Sequence, residues 1–227
     1  MIDPAVENGH YDYTPYAYTY NNPIRFIDLM GLDTLNFDEN GKYLETITAD
    51  GDPVGRVMGD NGYTFMFADP SWAGEFTTDE YPMSEEMGGD GGKYNSIYLV
   101  PKETIDETLE SSGVKDPENQ KPIAKYAYAL KESRGVDKQM DYVNNKKTLE
   151  MQRDHPYSLF VTDSQGLKVA HDNFNYGNFL WGAGMNSLTI PYMDAVKGAH
   201  ADNMLHHWLQ PDSKDDQISI LAGYLYK

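Results

Sequence analysis

The stretch that decides the fold is Tyr157-Ser-Leu-Phe-Val-Thr-Asp-Ser-Gln-Gly-Leu-Lys-Val-Ala-His-Asp-Asn-Phe-Asn-Tyr-Gly177. Its first half is a hairpin. Tyr157–Thr162 and Leu167–Ala170 are rich in apolar and β-branched residues, and Asp163-Ser-Gln-Gly166 between them has turn chemistry. Its second half opens a helix. Asp172 or Asn173 supplies a short side-chain acceptor for the orphan amides of a first turn, and Asn175–Leu188 continues with small and aromatic residues. A strand pair passing directly into a helix predicts an α+β arrangement. Gly177, Gly182 and Gly184 each cost such a helix about 1 kcal/mol relative to Ala, so the helix is expected to be approached closely by its neighbours.

Working outward, Pro191 opens another helix running to about Leu209, and Asp215–Tyr226 is the last. Upstream, Ile123–Glu132 and Asp137–Gln152 read as helices, the second with Met140, Val143, Lys147 and Met151 on one stripe. Glu103–Ser111 reads as a helix stopped by Gly113, and Ser96–Val100 as a short strand. Asp69–Gly92 has no period and reads as a loop or linker. Residues 34–68 alternate short apolar runs with turns at Asp38–Gly41, Asp50–Pro53 and Asp60-Asn-Gly62, where Asn-Gly supplies the positive φ of a tight turn. That pattern predicts a small antiparallel β-meander. The nearly alternating Tyr11, Tyr13, Tyr16, Tyr18 and Tyr20 suit a half-buried strand. The fold class expected is therefore α+β: a β-meander in the N-terminal half and a mainly helical C-terminal domain with one β-hairpin.

The chain has 227 residues, a net charge of −18 and no cysteine. Disulfide and thiolate chemistry are thereby excluded. Residues 1–120 hold 24 Asp/Glu against six Lys/Arg, whereas 121–227 hold 12 of each. The first part would repel nucleic acid, and the second need not. No apolar run is long enough for a membrane span. Met1-Ile-Asp-Pro4 lacks the basic and apolar regions of a signal peptide, and the chain reads as a piece of a larger protein.

Polar residues gather at three places in the second part. His171, Asp172, Asn175, Tyr176 and Asn178 stand where the hairpin ends and a helix begins, a position suited to an oxyanion or phosphate. Lys197 and His200 lie together on the next helix, where a histidine near Asp and Lys is how a general base is built. Asp212, Asp215, Asp216 and Gln217 begin the last helix. There Asp212 or Ser213 caps the helix and Asp215 and Asp216 complement its dipole, or Asp215, Asp216 and Gln217 line a pocket opposite His171, where carboxylates could hold a divalent metal or shift each other's pKa. Adjacent His206 and His207 point about 100° apart on a helix and make a poor chelating pair. No metal ligands are assigned, and no organic cofactor is called for.

Two resemblances add to this. Tyr16-Ala-Tyr-Thr-Tyr-Asn-Asn-Pro-Ile-Arg-Phe-Ile-Asp-Leu-Met-Gly-Leu-Asp33 closely resembles the motif that closes RHS/YD-repeat core regions, with Leu29-Met30 as a small departure. In that family a variable C-terminal domain, usually a toxin, follows. Gly135 with Asp141-Tyr142, then Asp172-Asn-Phe-Asn-Tyr-Gly177, then Asp212-Ser-Lys-Asp-Asp-Gln-Ile-Ser-Ile-Leu-Ala-Gly223, resemble the polymorphic toxin type 44 domain. One extra residue separates the aspartates in the last motif. Together they imply residues 1–33 as the end of an RHS core, 34–120 as an acidic β-rich region and linker, and 121–227 as the toxin-like domain. They imply an effector delivered to a target cell, an RHS shell in the full-length protein and an immunity partner. The family is described as ribonuclease.

Three functional expectations follow. A metal-independent ribonuclease would use His171 or His200 as base and acid, Lys197 or the amides near Asn175 to stabilise charge, and Asp172 and Asp215 to orient the histidine. Tyr176, Asp216 and Gln217 would complete the substrate contacts. A peptidoglycan hydrolase would use paired carboxylates, Asp172 with Asp215, and better suits a domain that is not basic. The remaining alternative is a non-catalytic structural or interaction tail.

Overall fold

The computed structural model describes residues 33–48, 52–82, 94–133, 138–206 and 213–227. The tyrosine-rich segment through residue 32, Gly135, His207 and Asp212 lie outside the described residues. The chain divides into two compact units, Met1–Ser96 and Ile97–Lys227. The sequence reading placed its boundary at residue 120 instead.

The first unit contains β1 (Thr34–Phe37), β2 (Tyr43–Ile47), β3 (Val54–Val57) and β4 (Tyr63–Phe67) in the order β2-β1-β3-β4. Both expected hairpins form: β1 pairs antiparallel with β2, and β3 with β4. The expected simple meander does not, because β3 runs parallel to β1 on the side away from β2. Composition explains the order. All four residues of β1 are buried, as suits a central strand, while Leu44, Glu45 and Thr46 of β2 are exposed, as suits an edge. Asn36 and Arg56, opposite each other in the β1–β3 register, are joined by a buried 3.0 Å bond from the guanidinium Nε to the amide oxygen.

Phe37 is the hub of this core, with its ring 5.8, 5.5 and 5.2 Å from those of Tyr43, Phe65 and Phe76. The β3–β4 connection is longer than a two-residue turn, since Val57 pairs with Tyr63, and its positive φ falls at Gly59 (107°), not Gly62. A 3-10 helix, Pro70–Glu75, forms inside the segment read as linker; Asp69 caps it and Trp72 is buried.

The second unit contains the C-terminal part of β5 (Ser96–Leu99), α1 (Lys102–Ser111), α2 (Ala124–Glu132) and α3 (Lys146–Asp154). It continues with β6 (Ser158–Ser164), β7 (Leu167–His171), α4 (Asn173–Ser187), α5 (Tyr192–His206) and α6 (Lys214–Tyr224). It is more than a helical domain with one hairpin: its strands run in the order β7-β6-β5, and β6 is buried along nearly its whole length. The β6–β7 turn is Gln165-Gly166, both at positive φ (58° and 90°), with the Gly166 amide donating to Asp163 Oδ1 at 2.7 Å. Two successive positive φ values match the right-handed twist of the flanking strands.

The helix expected over Asp137–Gln152 begins only at Lys146, where Asn145 caps it. Before it, Met140 and Tyr142 are buried in irregular chain, so burial of that stripe is achieved without a helical backbone.

α4 is the central helix. It buries Asn175, Tyr176, Gly177, Phe179, Leu180, Gly182, Ala183, Gly184 and Met185 on several sides, as a helix enclosed by other elements must. The expected close approach is made with α6. A Cβ on Gly182 would stand 2.1 Å from the Ile220 carbonyl oxygen, and one on Gly223 1.8 Å from that of Phe179. Only glycine at both positions lets the two backbones meet. That crossing sets the starts of α4 and α6 beside each other.

Candidate active site

Both helix starts are tied down by their own sequence. Asp172 caps α4, its Oδ1 accepting from the Asn175 amide at 2.7 Å. Ser213 caps α6 in a capping box with Asp216, whose Oδ2 accepts from the Ser213 amide at 3.1 Å. Cross-bonds then join the helices. Asn175 Nδ2 donates to Asp215 Oδ2 at 3.0 Å, and Asn178 Nδ2 donates to Asp216 Oδ1 at 2.6 Å. Asp172, Asn175, Asn178, Asp215 and Asp216, named from sequence at two separate motifs, therefore share one corner.

The corner acts on the Asp172 carboxyl electrostatically. Burial pushes the Asp172 carboxyl above the usual carboxylate range. The charges of Asp215 and Asp216 push the same way, against the amides of Asn175 and Phe174, which favour the anion. Asn175 is 3% exposed, and its Oδ1 is buried without a hydrogen-bond partner. An unmet buried acceptor of this kind is costly and marks a place where a donor would be welcome.

The other expected residues stand differently. His171 is fully buried, with Nε2 3.0 Å from the Thr162 hydroxyl and Nδ1 2.9 Å from that of Ser219. Desolvation lowers its pKa to about 3. A ring enclosed this way, with both nitrogens engaged, holds β6, β7 and α6 together and does not reach a substrate. Tyr176 is likewise in the core, stacked 6.0 Å from Phe179, and burial pushes its phenol up. Lys197 is exposed on α5, 3.9 Å from Asp194, and His200 is half-buried one turn further on. Gln217 lies in the first turn of α6, its amide donating to the Ser213 carbonyl at 3.3 Å.

Asn178 and Asp216 also line a cleft of about 650 Å³ bounded by α2, α4, α5 and the segment before α3. Asp141 lines it too. Phe174 and Trp181 were missed as functional residues and line it with Asn178. Positions 174, 178 and 181 are four and three apart, one stripe of α4, and that spacing was the available signal. Among the described residues, no three His, Cys, Asp or Glu are grouped so as to hold a metal ion, and no helix is long and apolar enough to cross a membrane. Comparison of the chain with protein-family models, curated proteins and solved structures gives no match.

Proposed function

We propose that the second unit is a hydrolase acting on cell-wall glycan, the effector portion of an RHS-type polymorphic toxin delivered to a target cell. The observation that carries the hydrolase reading is the joined start of α4 and α6, where Asp172 is shifted toward its protonated form beside Asp215. Protonated Asp172 donates its proton to the glycosidic oxygen. Asp215 takes a proton from the attacking water, whose oxygen bonds to the anomeric carbon as the leaving-group bond breaks. Asn175 holds Asp215 by its 3.0 Å bond. The RHS and toxin resemblances supply the setting: a shell upstream, and an immunity protein in the producing cell.

A ribonuclease is the second reading, supported by the toxin resemblance and by Lys197 and His200 standing one turn apart on α5. It draws no support from His171, which is enclosed.

The test is to incubate the purified chain with isolated peptidoglycan and, separately, with total RNA. Asp172→Asn is the informative variant, because asparagine caps a helix about as well as aspartate yet cannot donate a carboxylic proton. The wild type is expected to release new reducing ends from peptidoglycan, and both Asp172→Asn and Asp215→Asn to slow this by about 100-fold or more. Intact peptidoglycan with RNA cut in a His200-dependent way would replace this reading with the ribonuclease. Both polymers left whole would favour a non-catalytic tail.

A further inference from the structure

The cleft beside the carboxylate corner has a lining that is neither a core remnant nor an anion site. Its described lining residues include three carboxylates, Asp141, Asp194 and Asp216, and neither Lys nor Arg. Those three carboxylates oppose a phosphodiester backbone. Two of its aromatic members are presented outward, while Tyr142 is buried and Trp181 half-buried. Phe174 is 68% exposed and Tyr126 44% exposed, a poor arrangement for bulky apolar rings unless something covers them.

The polar members are fixed before any ligand arrives. Tyr126 donates to Asp194 Oδ2 at 2.8 Å, which holds its ring. Asn144 Nδ2 is held at 3.0 and 3.1 Å from the two oxygens of Asp141. Asn178 is held by Asp216.

Exposed ring faces beside amides and carboxylates match one ligand chemistry. A pyranose has an apolar C–H face that lies on an aromatic ring and equatorial hydroxyls that donate to carboxylates and exchange hydrogen bonds with amides. A few preset polar groups within a mostly apolar and aromatic lining are how a small-molecule cleft fixes orientation.

We infer that this cleft is a saccharide-binding subsite, with Phe174 as its stacking platform and Asp141, Asn144 and Asn178 as its hydroxyl and amide contacts. The inference rests on the hydrolase reading for the direction of the chain: a glycan lying along the 174–178–181 stripe has its end at the corner, since Asn178 and Asp216 belong to both. An N-acetylated sugar fits better than a plain one, because its acetamido N–H donates to a carboxylate and its carbonyl accepts from an asparagine amide.

The experiment uses the full chain carrying Asp215→Asn, so that binding is read without turnover. β-1,4-linked N-acetylglucosamine oligomers are titrated by calorimetry and by tryptophan fluorescence, since Trp181 lines the cleft. Saturable binding is expected, weakened about tenfold by Phe174→Ala, the loss of one stacking contact plus its covered area. Tyr126→Phe, which frees the ring from Asp194, is expected to weaken it by a smaller factor. Phe174 is exposed, so its truncation leaves the fold intact, and unchanged circular dichroism checks this. Absence of saturable binding at millimolar oligomer, equal binding by Phe174→Ala, or displacement of the sugar by an RNA oligomer would overturn the inference. Retained sugar binding with an uncleaved wall would overturn the hydrolase reading alone. Wall cleavage with a KM unmoved by Phe174→Ala would overturn the subsite alone.

Discussion

His171 is kept neutral by its surroundings, and that has a consequence for stability. Its pKa is lowered from 6.5 to about 3 by burial. In the unfolded chain the ring takes up a proton near its ordinary value, so the unfolded state binds more protons below pH 6.5. The stability the neutral ring contributes is therefore complete above pH 6.5 and is lost progressively as pH falls toward 3. Urea denaturation at pH 7, 5.5 and 4.5 should show the advantage of the wild type over His171→Leu nearly whole at pH 7 and shrinking by about 1.4 kcal/mol per pH unit below pH 6.5, the slope of one proton. Parallel curves for the two proteins would mean that the ring is charged inside the fold. Asp172 carries the opposite sign in function. Its raised pKa keeps it protonated further up the pH scale than an ordinary carboxyl, so the basic limb of the hydrolysis rate should move to lower pH when Asp216→Asn removes one of the charges that help raise it. Initial rates from pH 4 to 8 would read the shift on the residual activity.

At the scale of the element, the crossing of α4 and α6 is what joins two motifs about 40 residues apart in sequence, as in the pair Asn175 and Asp215. Gly182→Ala drives a methyl into the Ile220 carbonyl and Gly223→Ala one into that of Phe179. Each should cost about 1–3 kcal/mol. The double variant should cost less than the sum, because a crossing already opened by the first methyl accommodates the second; denaturant midpoints of the four proteins measure this. Much at this level was legible. Apolar, β-branched runs around the Asp163–Gly166 turn located the β6–β7 hairpin, and short acceptors at Asp172 or Asn173 and at Asp212 or Ser213 located the starts of α4 and α6. Three glycines in one helix announced a close neighbour. What was not legible depended on partners far along the chain. Whether β3 joins β1 or β2 is settled by which strand is buried on both faces. Met140, Val143, Lys147 and Met151 gave the periodicity of a helix, yet tertiary packing holds the chain before Lys146 in irregular form. His171 sat at the right corner for catalysis, yet nothing local told that Ser219, 48 residues on, would close over it.

At the scale of the whole molecule, charge separates the two hydrolase readings more sharply than any single residue. The chain carries −18, and all of that excess lies in residues 1–120, leaving residues 121–227 with equal numbers of acidic and basic side chains. A protein that grips RNA does so through cations that release counterions, and its affinity falls steeply with salt, by about 10³ or more over a fourfold rise when six or more phosphates are held. The described cleft lining offers no such cations. A neutral glycan displaces no counterions, and its hydrogen bonds and stacked rings are indifferent to the Debye length. The saccharide affinity of the Asp215→Asn chain should therefore change by less than about twofold between 50 and 200 mM sodium chloride. The same titration with an RNA oligomer should show weak binding that disappears over that range. A sugar affinity that collapsed with salt would place the ligand against charged side chains instead of the Phe174 stripe, and would move the site away from the start of α4.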